Sequence, residues 1–314
     1  NARALIVYSM NLENNSDVST ILLIRRYLGF IEHCQQTDGS FLNYTNSFNG
    51  FTEQNNSENL EDSNGRAIWA LGYLISLKKI LPEDIYDRAV KIMEISLPKI
   101  ESLYSSRAMG FAVKGLYYYN QSVTSSKTVE TIKILTNRLV QMFRHESETE
   151  WKWFESYLTY ANSILPEALL YAWIITEDPV YKDIAQSSFE FLLSKIFNKN
   201  GIEVISNKKW HIKGEEAGKF GEQPIDVAYT ISTLSLFHNV FQNDDYKHKM
   251  TIAFEWFLGH NRLNQIIYNP CTGGCYDGLE ENNINLNQGA ESTLSYQMAR
   301  LTMEKTTDLL PKYI

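Results

Sequence analysis

WKWFESYLTYANSILPEALL, residues 151–170, sets two tryptophans, a carboxylate, two tyrosines and an amide directly before a helix start. Pro166 suits the first turn of a helix, where its missing N–H costs nothing. Residues 168–175 that follow are apolar on every face, so the helix is predicted to lie inside the protein. Its polar lead-in then faces a cavity.

The same pair of features recurs along the chain. Residues 2–10 (ARALIVYSM) read as the end of a buried helix, and residues 67–77 (AIWALGYLISL), 108–119 and 225–237 are likewise apolar all round. Asp62 or Ser63 is the expected N-cap of the 67–77 helix. Between these segments lie amphipathic ones. In residues 17–34, Val18, Ile21, Leu22, Ile24, Leu28 and Ile31 recur at helical spacing while Arg25, Arg26, Glu32 and His33 take the other faces. Residues 84–97, 124–145 and 180–197 follow suit, as does a segment that comes after a short turn at residues 243–245 and ends near residue 259, and a last helix is expected over residues 288–303.

Buried and amphipathic helices thus alternate about eleven times, in units long enough to signal a helical array. Connections from a buried helix to the next amphipathic one are short, and most of the returns are long. An open solenoid would expose one side of each buried helix, and these helices have no polar side to expose. The expected fold is therefore all-α, a closed (α/α)6 toroid formed as one domain over residues 1–314, with residues 2–10 as the first inner helix. The sixth outer helix is missing or reduced to residues 306–314.

Composition narrows the function. With 44% hydrophobic residues the 314-residue chain can bury a large core. A formal charge of −8 and a pI near 5.4 argue against nucleic acid, which needs clustered Lys and Arg. No run of 18 uncharged apolar residues exists, so no membrane span is expected. Cys34, Cys271 and Cys275 are too few for a disulfide scaffold, and NPCTGGCYDG is not a zinc signature. Cys271 and Cys275 read as ordinary loop thiols, with a local disulfide as the alternative. No cofactor or metal set is legible. The first ten residues lack a signal-peptide pattern, which with the few cysteines favours the cytoplasm; a start inside an apolar helix points to a piece of a longer polypeptide.

In a toroid the inner-helix N-termini and the loops before them converge on one cavity, the predicted site. Glu61, Asp62, Arg66, Arg107, Trp151, Trp153, Glu155, Tyr157, Tyr160, Asn162, Trp210, His211, Glu222, Gln223, Asp226, Asn287, Gln288 and Glu291 fall in these segments. Aromatic faces beside carboxylates and amides suit a saccharide, whose C–H faces stack while its hydroxyls take paired donors and acceptors.

EDSNGRAIWALG (61–72), SSRAMGFAVKGL (105–116), WFESYLTYANSILPEALL (153–170), FGEQPIDVA (220–228), FEWFLGHN (254–261) and NQGAESTLSY (287–296) together resemble the helical domain of bacterial glycosyltransferase-associated proteins. That domain is similar to the six-hairpin glycosidases, and the resemblance implies an (α/α)6 fold and carbohydrate chemistry. QTDGSF (36–41) is reminiscent of the prenyltransferase and terpene-cyclase toroids. Without an aspartate-rich diphosphate motif or an Asp/Cys/His zinc set, isoprenoid chemistry is disfavoured.

Inverting hydrolysis needs a protonated carboxyl and a carboxylate roughly 6.5–9.5 Å apart. Glu155, among aromatics, is the expected proton donor, because an apolar setting raises a carboxyl pKa. Asp62 and Asp226, at helix starts, are the expected ionised partners. Arg66 and Arg107 would hold substrate hydroxyls or a carboxylate, and Trp151, Trp153, Tyr157 and Tyr160 would form a stacking wall. The bland alternative is that the acids cap helices, the arginines pair with them, and Trp69, Trp173 and Trp256 are core. Two other function classes remain. A sugar epimerase or isomerase usually calls on histidine, and only His211 is well placed. A non-catalytic carbohydrate-binding or scaffold domain would keep the aromatics and need no carboxyl pair.

Overall fold

The computed structural model describes residues 1–14 and 17–306. Among these the helices are α1 (Ala2–Asn14), α2 (Val18–Cys34), α3 (Gln54–Ser57), α4 (Glu61–Ser76), α5 (Glu83–Ile100), α6 (Ser106–Ser122), α7 (Ser126–Glu146), α8 (Ile164–Thr176), α9 (Pro179–Ile196), α10 (Pro224–Phe241), α11 (Asp244–Glu255) and α12 (Ala290–Thr306). Setting aside the four-residue α3 leaves eleven, the number the alternation predicts. The expected remnant of a sixth outer helix, residues 306–314, lies outside the described residues apart from Thr306, which ends α12.

Eight two-residue strands pair into four antiparallel ribbons, which the helical pattern does not announce. They are β1 (Tyr157–Leu158) with β4 (His211–Ile212), β2 (Phe197–Asn198) with β3 (Gly201–Ile202), β5 (Tyr268–Asn269) with β6 (Gly274–Cys275), and β7 (Gly278–Leu279) with β8 (Ile284–Asn285). The chain divides into two compact units, Asn1–Leu139 with Tyr171–Tyr181, and Val140–Leu170 with Lys182–Ile314.

In the first unit, burial follows the predicted alternation. Ten of the 16 residues of α4 and 12 of the 17 of α6 are buried, against five of 17 in α2 and six of 18 in α5. The buried pair α4 and α6 approach unusually closely. A Cβ built on Gly72 would sit 1.9 Å from the Gly115 carbonyl oxygen, and one on Gly115 would sit 2.4 Å from that of Ile68. Only hydrogen side chains at these positions let the two backbones meet. Trp69 stacks on Phe111 beside this contact, with centroids 5.8 Å apart, and the Lys114 ammonium lies 4.1 Å from the Trp69 ring centre. The amphipathic α2 and α5 keep their charges wet, pairing Arg25 with Asp84 and Arg88 with Glu32.

One expectation changes here. The start of α4 is Glu61, after Leu60, so Asp62 belongs to the first turn and does not cap it. The side chain of Asn59 accepts the Glu61 N–H instead, at 2.9 Å. The polar loop before α4 is also ordered by asparagines. Asn55, 9% exposed, accepts the N–H groups of Asn43 and Tyr44 and donates to the carbonyls of Tyr44 and Thr52. Asn64 does the same for both backbone groups of Phe41.

The second unit is built around α10, of whose 18 residues 12 are buried. Gln223 precedes Pro224 at the first helical position, and the helix ends on Gln242 in the left-handed region. It packs on α11 and α12. Phe189, Phe237 and Tyr246 form one aromatic cluster; Phe254, Phe257, Tyr268 and Tyr296 form another, with Tyr268 stacked 3.9 Å from Tyr296. All three cysteines are free thiols, so the local disulfide is not formed; burial pushes the Cys34 thiol up to about 11.

Because a methyl group at residue 72 has no room, Gly72→Ala is expected to lower unfolding free energy by about 2 kcal/mol or more. Urea denaturation followed by circular dichroism measures this. An unchanged midpoint would show that α4 and α6 part without cost.

Candidate functional site

The sequence-predicted residues fall in both units. In the first, α4 and the start of α6 are stitched by acids. Glu61 accepts the backbone N–H groups of Tyr104 and Ser105, and Asp62 accepts the Ser105 hydroxyl at 2.6 Å. Ser105 in turn caps α6 through the Ala108 N–H. Arg107 is buried, donating to the Ser106 hydroxyl at 2.8 Å, and the Arg66 guanidinium lies 5.7 Å from the Phe111 ring centre. Glu61 and Asp62 thus hold the polar ends of two apolar helices together, as the bland alternative has it.

In the second unit, β1 and β4 bring the two aromatic loops together. Tyr157 pairs with Ile212 and Leu158 with His211, and the Lys213 N–H extends the ribbon to the Ser156 carbonyl. Lys213 anchors the far end, its ammonium 2.9 Å from carboxylate oxygens of both Glu146 and Glu148. The outcome is an aromatic pair from two loops. Tyr157 and Trp210 lie with centroids 5.9 Å apart and planes 32° apart, and Trp210 is 51% exposed. An indole that open offers an apolar face to a ligand.

Behind the pair, Trp151 is buried and donates its indole N–H to the Glu155 carbonyl at 2.8 Å. Its ring meets His211 edge-on at 5.4 Å. The carboxyl-bearing residue of the loop, Glu155, is half-buried. His211 is half-buried as well. Burial, with the Lys195 charge, pushes its pKa below that of a free imidazole, and its Nδ1 has no hydrogen-bond partner among the described residues. Trp153 departs from expectation. It is 0% exposed, packed against Phe154 and Phe191, so it supports the wall from within and has no open face to stack.

A second group hangs on Asp226, in the first turn of α10. Its carboxylate accepts the Ala161 N–H at 2.6 Å, and Ala161 adopts a φ of 49°, a left-handed backbone that a non-glycine residue takes only under constraint. Asn162 closes the same turn on both backbone groups of Thr159. Tyr160, between them, is half-buried. Asp226 therefore fixes the end of the aromatic loop to the N-terminus of α10. Gln223, immediately before the helix, makes no capping bond with its side chain.

Asn287, Gln288 and Glu291 surround the start of α12. There Asp277, which the sequence did not single out, takes the central place. Its carboxylate accepts the Gly289 N–H at 2.9 Å, the Ser292 hydroxyl at 2.7 Å and the Asn287 amide. Burial works to raise its pKa, but these hydrogen bonds outweigh it and hold the carboxyl below its ordinary value. Gln288 accepts the Thr272 hydroxyl at 2.7 Å, and Glu291 is exposed.

Glu222 is a carboxyl strongly altered by its surroundings. It is 3% exposed, accepts the Trp256 indole N–H at 3.0 Å, and faces the Arg262 Nε at 3.4 Å. Arg262 also donates to the carbonyls of Glu280 and Glu281, and the Glu222 backbone pairs with Leu279. Burial pushes the Glu222 pKa up to about 7; Trp256 and Arg262 oppose that shift, and Glu203 adds to it. Trp256 and Arg262 escaped the sequence reading because Trp256 is a core residue, as expected, and Arg262 stands in no motif. Among the described residues no group of three or more His, Cys, Asp or Glu is placed to hold a metal, and no helix is long and apolar enough to cross a membrane.

The raised Glu222 pKa means that the folded state holds this proton more tightly than the unfolded chain does. Its contribution to stability is complete below the ordinary value of 4.5 and is lost as pH rises to about 7. The loss is on the order of 3 kcal/mol. Denaturation across that window should show the fall in the native protein and a flatter curve in Glu222→Gln; parallel curves would contradict it.

No sequence-family profile and no curated protein sequence matches the chain. Solved structures do match it in shape. A cellobiose 2-epimerase from Spirochaeta thermophila superposes with a TM-score of 0.70 at 10% identity, covering 97% of this chain and 84% of its own. A D-mannose isomerase does so with a TM-score of 0.67 at 10% identity, covering 97% and 86%. A cellulase of C. cellulolyticum gives 0.64 at 9% identity, covering 97% and 83%. The expected association with glycosyltransferases finds no support in these comparisons. At such identities the likeness is one of fold alone, and the fold is the all-α (α/α)6 toroid.

Proposed function

We propose that this protein binds a saccharide and acts on it as a glycoside hydrolase-like enzyme, within one toroidal domain. The observation that carries the saccharide reading is the half-exposed Trp210 set beside Tyr157, on a ribbon whose neighbouring loop holds Glu155. Solved structures of the same fold include enzymes of both hydrolytic and isomerising kinds, which supports a sugar ligand in either case.

Glu155 is proposed as the proton donor and Asp226, in the same unit, as the ionised partner that activates water. Trp151, Tyr157, Tyr160, Asn162, Trp210, Glu222, Gln223, Asn287, Gln288 and Glu291 are proposed to bind substrate or to shape the loops that do. Asp62, Arg66 and Arg107, in the other unit, are proposed to serve its helix starts. Trp153 is proposed to act only through packing.

Epimerisation or isomerisation is the second reading, and one observation favours it. The imidazole of His211 sits in the aromatic group, its pKa lowered by burial and its Nδ1 unpartnered among the described residues. A neutral imidazole is the form that removes a proton next to a carbonyl.

An oligosaccharide screen that follows both bond cleavage and isomer formation separates these readings. For a hydrolase, Glu155→Gln should lower kcat by about 10²-fold or more with binding kept, and His211→Gln should leave most of the turnover. For an isomerase the two variants exchange roles. Saccharide binding without turnover of either kind would identify a carbohydrate-binding domain, and no binding at all would overturn the saccharide reading.

A further inference from the structure

The second unit holds another polar concavity. A cleft of about 350 Å³ is lined by Lys195, Glu203, Glu216, Lys219 and Glu222, a volume within the range of small-molecule sites. Its inner wall is the buried Glu222, held by Trp256 and Arg262 as described. The other four charges are unspent. Among the described residues, the side chains of Glu203, Glu216 and Lys219 make no hydrogen bond or ion pair, and Lys195 lies over the Phe191 ring at 5.1 Å with its charge also felt by His211.

One side of the cleft is a loop folded tightly on itself. A Cβ on Gly218 would lie 2.3 Å from the Lys209 carbonyl oxygen and 2.7 Å from the Ser206 Cβ. Gly221, at a φ of 89°, would bring one within 2.5 Å of the Asn207 side chain. Lys209 directly precedes Trp210, so the cleft and the aromatic pair are built from the same loop.

The lining selects the kind of ligand. Two ammonium groups, Lys195 and Lys219, stand among the carboxyl groups of Glu203, Glu216 and Glu222. A phosphate would meet the carboxylates and a bare cation would meet the lysines. Neutral hydroxyl groups take charged donors and acceptors alike, as strong hydrogen bonds.

We propose that this cleft is a second saccharide subsite, which takes a neutral sugar unit of an oligosaccharide whose neighbouring unit stacks on Trp210 and Tyr157. It rests on the saccharide reading above. The two predict a dependence on chain length that one aromatic pair alone does not give.

Titration calorimetry with the mono-, di- and trisaccharides of glucose and of mannose tests it on the full chain. Affinity should rise by about tenfold or more from mono- to trisaccharide. The double variant Glu203→Gln with Lys219→Ala, changed only outside the core, should lose that gain and keep monosaccharide affinity, whereas Trp210→Ala should weaken every length. Circular dichroism confirms that each variant is folded. A length gain that survives the double variant, or no length gain in the native protein, overturns the subsite and leaves the saccharide reading standing. Failure of the native protein to bind any of these sugars overturns both.

Discussion

A helix without a polar face must be covered on every side, and this requirement governs the chain. In the first unit it is met by contact between backbones. Gly72 and Gly115 remove the side chains that would hold α4 and α6 apart, so the two apolar rods touch over their middle turns. Apolar burial on this scale is the dominant favourable term in folding. It leaves the helix ends, with their unpaired N–H groups, as the places where polar side chains are wanted.

Those ends explain where the chemistry-bearing residues sit. Glu61 and Asp62 serve the start of α6, Asp226 serves the turn before α8, and Asp277 serves the start of α12. Glu61, Asp226 and Asp277 satisfy backbone donors that water would otherwise have to reach, and Asp62 holds the Ser105 hydroxyl. The aromatic loops are then tied to fixed points, through Ala161 at one end and the β1–β4 ribbon at the other. A loop secured in this way can expose a large indole such as Trp210 without its collapsing onto the core.

The helices were legible because burial leaves a direct mark on sequence. Continuous apolar runs became α4, α6 and α10, while spaced ones became α2 and α5, with ends shifted by a few residues. What was hidden depends on partners far away in the chain. Asn55, Asn64 and Asp277 organise loops through hydrogen bonds to backbone atoms, and nothing in their local sequence separates them from solvated neighbours. The same holds for the site. Trp210 and Tyr157 were both named, yet their pairing needed the ribbon. Trp151 and Trp153 were both read as a stacking wall and proved to be buried, with no open face. Glu222 was read as a ligand contact, and its polar partners, Trp256 and Arg262, which oppose the effect of burial on its acidity, stand more than 30 residues on.

A crystal structure of the protein soaked with an oligosaccharide tests the central claim most directly. The account predicts a sugar ring lying flat on the Trp210 indole, with Tyr157 beside it and the Glu155 carboxyl within reach of its oxygens. Sugar bound elsewhere, with the Trp210 face left empty, would contradict it.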